Sequence, residues 1–125
     1  MSDIPSNQDL DLSLLHEIAD GSDEFIIESI DMFLQQTPEL LKMIGDYMAQ
    51  KDWLNAGLSA HKIKSTLGFF GMLTTQALIQ QVELASKAGG ANPYEIITKF
   101  NQAKSNIAVN SITLAKLKAE AESRL

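Results

Sequence analysis

Between residues 53 and 70, apolar side chains recur at alternating intervals of three and four positions, which is the spacing of one face of an α-helix. The set comprises Trp53, Ala56, Ala60, Ile63, Leu67 and Phe70. A stripe this narrow is typical of a helix that packs in a bundle. We therefore predict a helix from about Asp52 to Phe70, ended by Gly71.

Four further segments show helical spacing of apolar residues, and none of them alternates with the period of two that a half-buried strand requires. They run from about Asp11 to Ala19, from Ser22 to about Gln50, from about Thr74 to Lys87, and from Asn92 to the C-terminus. The sequence therefore predicts an all-α fold, an antiparallel four-helix bundle with a short extra N-terminal helix. Residues 9–125 are expected to form a single helical domain, and residues 1–8 a flexible N-terminal arm.

Signals at the helix ends refine these bounds. Asp9 or Asp11 is expected to cap the first helix, and Asn92 followed by Pro93 is typical of a helix start. Pro38 either kinks the second helix or divides it, and the continuous phase of the apolar residues favours one long kinked helix. The residues expected to face the core from the first, fourth and fifth helices are Leu12, Leu15 and Ile18; Thr75, Leu78, Val82 and Ala85; and Ile97, Phe100, Ala103, Ile107, Leu114 and Leu117.

The composition restricts the possible classes of function. The 125 residues carry a formal net charge of −6 and include no cysteine. A negatively charged protein is a poor match for nucleic acid or for an anionic membrane surface, so neither is expected as a partner. The absence of cysteine excludes disulfides and thiolate metal sites. Because no apolar signal segment and no apolar run of membrane-spanning length is present, we expect a cytoplasmic protein.

One histidine stands apart from the apolar stripe of residues 53–70. His61 points roughly 130° away from the centre of that stripe, and its nearest neighbours on its own face are Gly57, Lys64, Ser65 and Gly68. Glycine inside a helix costs about 1 kcal/mol relative to alanine, so we interpret the two glycines as clearing the helix surface for another molecule. An exposed imidazole beside a lysine suits a phosphoryl group in transit. From spacing alone, an exposed histidine without a role is an equal alternative.

At these positions the sequence resembles the histidine-containing phosphotransfer (HPt) domains of two-component phosphorelays. The residues that carry the resemblance are Ala60, His61, Ile63, Lys64, Gly68, Phe70 and Gly71. One position departs from the family pattern, because Ser65 stands where a glycine usually follows the lysine. The helix lengths along nearly the whole chain also fit the family, whose members fold as four-helix bundles.

The resemblance implies roles for individual residues. His61 would carry the phosphoryl group, and Lys64 would neutralise its charge. Glu83 either accepts a hydrogen bond from Nδ1 of His61, which leaves Nε2 outward, or is a surface glutamate. Phe69 belongs either to the core or to an exposed apolar patch. The residues expected to dock a receiver domain are Gly57, Lys62, Ser65, Gly68 and Phe69.

The resemblance further implies a phosphorelay intermediate that takes a phosphoryl group from a receiver-domain aspartate onto His61 and passes it to another receiver aspartate. Its partners would be response-regulator receiver domains and a hybrid histidine kinase. We expect a monomer with no cofactor or metal of its own, the Mg²⁺ being held by the receiver. No kinase or ATP-binding motif is present, so the protein is not expected to be a conventional enzyme.

Two other functions remain to be compared with the relay. The alternative is a helical interaction module that binds a signalling partner without phosphate chemistry. A hydrolase with His61 as base is disfavoured, because the sequence offers no paired nucleophile or enclosed site. His16, on the first helix, has neither glycine nor lysine neighbours and is interpreted as a surface histidine.

Overall fold

The structure, a computed structural model, describes residues 8–125. Within that range it contains five α-helices and no strand: α1 (Ser13–Ala19), α2 (Asp23–Ala49), α3 (Trp53–Phe69), α4 (Leu73–Lys87) and α5 (Pro93–Ser123). Every predicted helix is present, and each end lies within two residues of its predicted position. The all-α prediction is confirmed. The predicted flexible arm, apart from Gln8, lies outside the described residues, and the division into arm and domain stays a prediction.

Helices α2 to α5 form the bundle, and α1 packs against the N-terminal part of α2. Both α3 and α5 pack between α2 and α4, so α3 and α5 lie diagonally across the bundle from each other. One face of α3 is therefore directed away from the core, and that face carries His61. The diagonal arrangement also places α5 on the far side of the bundle from His61.

The apolar stripe of α3 forms the middle of the core. Ala56, Ala60, Ile63 and Leu67 are completely buried, and Phe70 is buried against Phe33 of α2, with ring centroids 5.0 Å apart. The first residue of the stripe is only half-buried, as expected at a helix end. The prediction that this face of α3 packs inward is confirmed. The outward direction of the opposite face follows from it.

Two predicted core positions are wrong. Ile18 is 51% exposed and Ile97 is 40% exposed, whereas the neighbouring Ala19 and Ile96 are buried. In each pair, one residue lies three positions and the other four positions from a core residue, which is Leu15 in the first helix and Phe100 in the last. Both spacings fit one face of a helix, and packing against the neighbouring helices determines which residue is buried. A third case is an omission, because Ile79 is fully buried and was not among the predicted core residues.

The starts of α2 and α5 follow local signals, and at the start of α2 the side chain of Ser22 accepts a hydrogen bond from the backbone N–H of Phe25 at 3.1 Å. Helix α2 continues through Pro38 as one helix, as predicted. The side chain of Asn92 accepts a hydrogen bond from the backbone N–H of Glu95 at 3.3 Å, so the predicted start of α5 is also confirmed. These ends are determined by residues close together in sequence, which is why the sequence predicts them.

The segment before α1 distinguishes the two residues expected to cap that helix. The Asp11 side chain accepts a hydrogen bond from the backbone N–H of Ser13 at 3.0 Å, at the start of α1. Asp9, the other expected cap of α1, lies instead at the start of α4. Its two carboxylate oxygens accept the backbone N–H groups of Thr74 at 2.9 Å and Thr75 at 2.7 Å. Of the two alternatives for the first helix, Asp11 therefore holds and Asp9 does not, because Asp9 satisfies free N–H groups of a helix more than sixty residues later.

The same segment is also attached to α5. The side chain of Asn110, which is buried, donates from Nδ2 to the backbone carbonyl of Asp9 at 2.8 Å. Gln8 donates from Nε2 to Oδ1 of Asn110 at 2.6 Å. The residues just before α1 therefore join the start of α4 to the middle of α5.

Candidate functional site

The candidate site is centred on an exposed imidazole held by a buried carboxylate. The side chain of His61 is 63% exposed on the outer face of α3, and its Nδ1 lies 2.8 Å from Oε2 of Glu83 on α4. The Glu83 side chain is only 5% exposed. Of the two alternatives for Glu83, the surface glutamate is therefore wrong, and the side chain lies in contact with His61.

Two ammonium groups reach the same carboxylate. Nζ of Lys64 lies 2.6 Å from Oε1 of Glu83, and Nζ of Lys87 lies 2.6 Å from Oε2. The contact with Lys64 is an ion pair without the alignment of a hydrogen bond. The same ammonium group donates a hydrogen bond to Oε1 of Gln80 at 2.5 Å. The single negative charge is thus shared by two positive side chains and one imidazole.

These contacts decide the protonation of the pair. Burial by itself would raise the pKa of Glu83, but the contacts with Lys64, Lys87 and His61 outweigh it and lower that pKa to about 2. Glu83 is therefore a carboxylate near neutral pH. Because a carboxylate can only accept hydrogen bonds, Nδ1 of His61 must carry the proton in this contact, and in the neutral ring Nε2 keeps its lone pair.

Gly57 explains how α3 and α4 come close enough for this contact. It is buried, and a Cβ atom at this position would lie 2.7 Å from Cγ of Lys87 and 3.2 Å from the backbone oxygen of Glu83. The interpretation of Gly57 as part of an open surface for a partner is wrong, because the space above it is filled by α4. The absence of a side chain at Gly57 allows α3 and α4 to pack this closely.

Gly68 is also less open than expected. A Cβ atom there would lie 2.7 Å from Nε2 of Gln76, whose amide donates to the backbone oxygen of Lys64 at 3.0 Å. Gly68 is half-buried under the end of this side chain. A partner can therefore reach Gly68 only if the end of the Gln76 side chain rotates away.

A groove lies between α2 and α3, beside the exposed face of His61. It has a volume of about 270 Å³, and Ser65, one turn after His61, is on its rim. Phe69 is half-buried, contacts the ring of Phe70 at a centroid distance of 5.2 Å, and lines the groove. Both alternatives for Phe69 therefore hold in part. The groove is lined by Ser29, Met32, Phe33, Gln36, Ser65, Thr66, Phe69 and Phe70.

The other predicted residues lie as follows. Lys62 is exposed on α3, next to His61. His16 is exposed on α1 and borders a separate cavity between α1, α2 and α5. In residues 8–125, no group of three or more histidine, cysteine, aspartate or glutamate side chains is placed to hold a metal ion. Over the same range, no helix is both long and apolar enough to span a membrane.

Lys87 and Gln80 belong to the site but were not predicted. Lys87 had a sequence signal, since it follows Glu83 by four positions, the spacing at which a helical glutamate and lysine form an ion pair. Gln80 had no comparable signal, because its contact with Lys64 joins two different helices.

Comparison with known proteins agrees with this geometry. The family model of the Hpt domain matches residues 28–107, a segment that contains His61, Lys64, Glu83 and Lys87. No curated protein and no solved structure matches the chain. The matched segment is more than half of the chain and spans α3, α4 and most of α2. The resemblance drawn from the motif around His61 is thereby confirmed, and the chain belongs to the Hpt domain family.

Proposed function

We propose that this protein is a phosphorelay intermediate in which Nε2 of His61 accepts a phosphoryl group from a receiver-domain aspartate and passes it to a second receiver. Membership of the Hpt family implies histidine phosphotransfer in two-component signalling. The observation that supports His61 as the acceptor is its 2.8 Å contact with Glu83, which engages Nδ1 and leaves Nε2 as the free nucleophile on an exposed face.

The transfer step follows from this arrangement. The Nε2 lone pair of His61 attacks the phosphorus atom of the receiver's aspartyl phosphate, an N–P bond forms, and the P–O bond to the aspartate breaks. The released carboxylate stays on the receiver. Because Nδ1 keeps its proton, the imidazole ring becomes positively charged as the bond forms. Glu83 lies where that charge develops, in a buried position where a fixed carboxylate stabilises it strongly.

The second transfer reverses these bonds. An aspartate oxygen of the second receiver attacks the phosphorus atom, and the N–P bond breaks with its electron pair returning to Nε2. A phosphoimidazole that keeps Nδ1–H is the better leaving group, so the same Glu83 contact assists both directions. Lys64 is the residue proposed to neutralise the phosphoryl group, which carries a charge of about −1.5 to −2 near neutral pH. Its side chain lies at the edge of the site, 21% exposed.

We assign receiver docking to a surface formed by the exposed face of α3 and the adjoining groove; below, this is the docking surface. From the predicted set it retains Lys62, Ser65, Gly68 and Phe69, and it gains the exposed rim residue Met32 of α2. An apolar groove beside a reactive side chain suits a partner that must place one aspartate accurately against Nε2. The receiver would bring the Mg²⁺, and a hybrid histidine kinase would supply the first receiver. We propose a cytoplasmic monomer whose docking surface is free for the receiver.

Phosphotransfer from purified receivers tests this function. The protein is incubated with a panel of phosphorylated receiver domains and Mg²⁺, and separately with phosphoramidate, a small phosphoryl donor that needs no docking. His16→Gln provides the matched control, because these are the two histidines of the chain. We expect labelling of the wild type and of His16→Gln, and none of His61→Gln with its helical content unchanged.

The same experiment separates the alternatives. A phosphate that remains on His61→Gln would contradict the assignment of the acceptor. A wild type that binds receivers but takes no phosphoryl group from either donor would favour the helical interaction module without phosphate chemistry.

A further inference from the structure

The phosphotransfer mechanism above does not account for Lys87. Its Nζ lies 2.6 Å from Oε2 of Glu83, the same oxygen that contacts Nδ1 of His61. Lys64 approaches the other oxygen, Oε1. The stem of the Lys87 side chain passes over Gly57, where only a glycine leaves enough space for it. Lys87 therefore has a defined place at the site rather than a free position in solvent.

A phosphoryl group on His61 would be a second anion close to the ammonium group of Lys64. In the unphosphorylated protein this ammonium group is engaged by Glu83 at 2.6 Å and by Gln80 at 2.5 Å. A dianionic group on Nε2 competes for the same cation. Without Lys87, the departure of Lys64 would leave the buried Glu83 carboxylate with the ring of His61 as its single charged partner, which is unfavourable.

We propose that Lys87 is a positioning residue: it keeps the Glu83 carboxylate compensated and directed at Nδ1 of His61, so that Lys64 is free to leave Glu83 for the phosphoryl group. This inference rests on the proposed phosphotransfer at His61. It assigns different tasks to the two lysines, although both contact one carboxylate. Lys64 moves between two anions, and Lys87 stays with one.

A second ion pair in the chain shows why spacing alone does not create this role. Lys99 contacts Glu95 at 2.8 Å with the same four-residue spacing, and its side chain is 33% exposed, close to the 36% of Lys87. The carboxylates differ, because Glu95 is 57% exposed whereas Glu83 is 5% exposed. Water can replace Lys99 at an exposed carboxylate, and exposed pairs contribute little. Water cannot replace Lys87 equally well at the buried carboxylate of Glu83.

Phosphotransfer rates in a double-variant cycle test the proposal. The variants are Lys87→Met, which keeps an apolar stem over Gly57, Lys64→Met, and the combination of both. Lys87→Arg restores a cation, and Lys99→Met is the matched control. We expect Lys87→Met to slow transfer from a receiver about tenfold, the order of effect of losing a hydrogen bond to a charged group. The arginine variant should recover most of this rate, and Lys99→Met should transfer normally.

The double variant gives the readout that a structural role would not produce. If Lys87 acts by releasing Lys64, the two substitutions are not independent, so the loss of rate in the double variant should differ from the product of the two single losses, whereas independent effects multiply. Nitrogen NMR of unphosphorylated Lys87→Met should still show the proton on Nδ1 of His61, because Lys64 then remains on Glu83. The phosphorus NMR shift of the phosphohistidine should change in Lys87→Met as it does in Lys64→Met.

Three outcomes would contradict the proposal. Transfer by Lys87→Met at the wild-type rate, a multiplicative loss in the double variant, or failure of Lys87→Arg to recover the rate would each overturn the inference and leave the proposed function intact. A wild type that takes no phosphoryl group from receivers or from phosphoramidate would overturn the proposed function, and this inference with it.

Discussion

Nδ1 of His61 lies 2.8 Å from Oε2 of Glu83, although the side chain of His61 is 63% exposed and that of Glu83 only 5% exposed. The atom proposed to react faces a partner, while the group that fixes its orientation is out of a partner's reach. The carboxylate comes from α4, and α3 and α4 pack closely along their length. The orientation of the imidazole ring is therefore set by the packing of the bundle before a partner docks.

The first prediction concerns the charge of Glu83. In Glu83→Gln the amide oxygen can still accept from Nδ1 of His61, but the negative charge is lost. We expect phosphorylation of His61 to slow about tenfold, the order of the difference between a hydrogen bond to a charged group and one to a neutral group. The phosphohistidine, once formed, should survive to lower pH, because its ring loses the proton more readily. Rapid-quench labelling with a phosphorylated receiver measures the rate.

Glu95→Gln is the matched control for that experiment, since Glu95 also pairs with a lysine four residues later but is exposed. Wild-type rates in both glutamine variants would show that the carboxylate of Glu83 does not take part in transfer.

The second prediction concerns acid stability. The pKa of Glu83 is lowered from 4.5 to about 2 in the folded protein. A group with a lowered folded-state pKa stabilises the fold fully above its unfolded pKa, and this stabilisation is lost as the pH falls through the folded value. The free energy of unfolding should therefore decrease between pH 4.5 and about 2, with Glu83 contributing about 3 kcal/mol of the change.

Urea unfolding of the wild type and of Glu83→Gln across this pH range measures the contribution. The difference between the two proteins should be largest near neutral pH and should shrink toward pH 2. A difference that stays constant from pH 7 to pH 2 would contradict the prediction, because it would show that the ionisation of Glu83 is not linked to folding.

The third prediction compares two helical glycines. In Gly57→Ala the new methyl group would press on Lys87 and on the backbone of α4, so we expect a loss of about 1 to 3 kcal/mol in the free energy of unfolding. In Gly45→Ala the methyl group would lie 3.7 Å from Phe100, an ordinary contact. That variant should gain up to about 1 kcal/mol from helix propensity. Equal stabilisation of both variants would show that α3 and α4 are farther apart at Gly57.

The fourth prediction concerns the docking surface. Met32 is 57% exposed on the rim of the groove, and Ile112 is 62% exposed on α5, the helix diagonally opposite α3. We expect Met32→Asp to weaken binding of a receiver domain about tenfold, as for a moderate interface residue, and Ile112→Asp to leave it unchanged. Calorimetric titration with a receiver measures both, and an equal loss in the two variants would place the interface elsewhere.

The sequence predicts those features of this protein that depend on residues near one another in the chain. The starts of α2 and α5 follow from Ser22 and Asn92, whose side chains accept backbone N–H groups three residues later. The outward direction of His61 follows from the phase of the α3 stripe, because the core fixes one face and the geometry of the helix fixes the opposite one.

The features it does not predict depend on contacts between distant segments. Ile96 and Ile97 have equally helical spacing to Phe100, and only the packed bundle shows that the first is buried. Gly57 looks open along its own helix, but α4 covers it. The burial of Glu83 likewise comes from the packing of α3 on α4, so the sequence left its role undecided between two alternatives.

The attachment of Asp9 to the start of α4 has a practical consequence for protein engineering. The segment that matches the Hpt family begins at residue 28, so a fragment cut to that boundary would retain His61 and Glu83 but lose Asp9. The N–H groups of Thr74 and Thr75 would lose their acceptors, at a cost of about 1 kcal/mol for a helix cap. Fusions and deletions should therefore preserve the chain from Gln8 onward, because the start of the helix that presents Glu83 to His61 is capped by a residue outside the family segment.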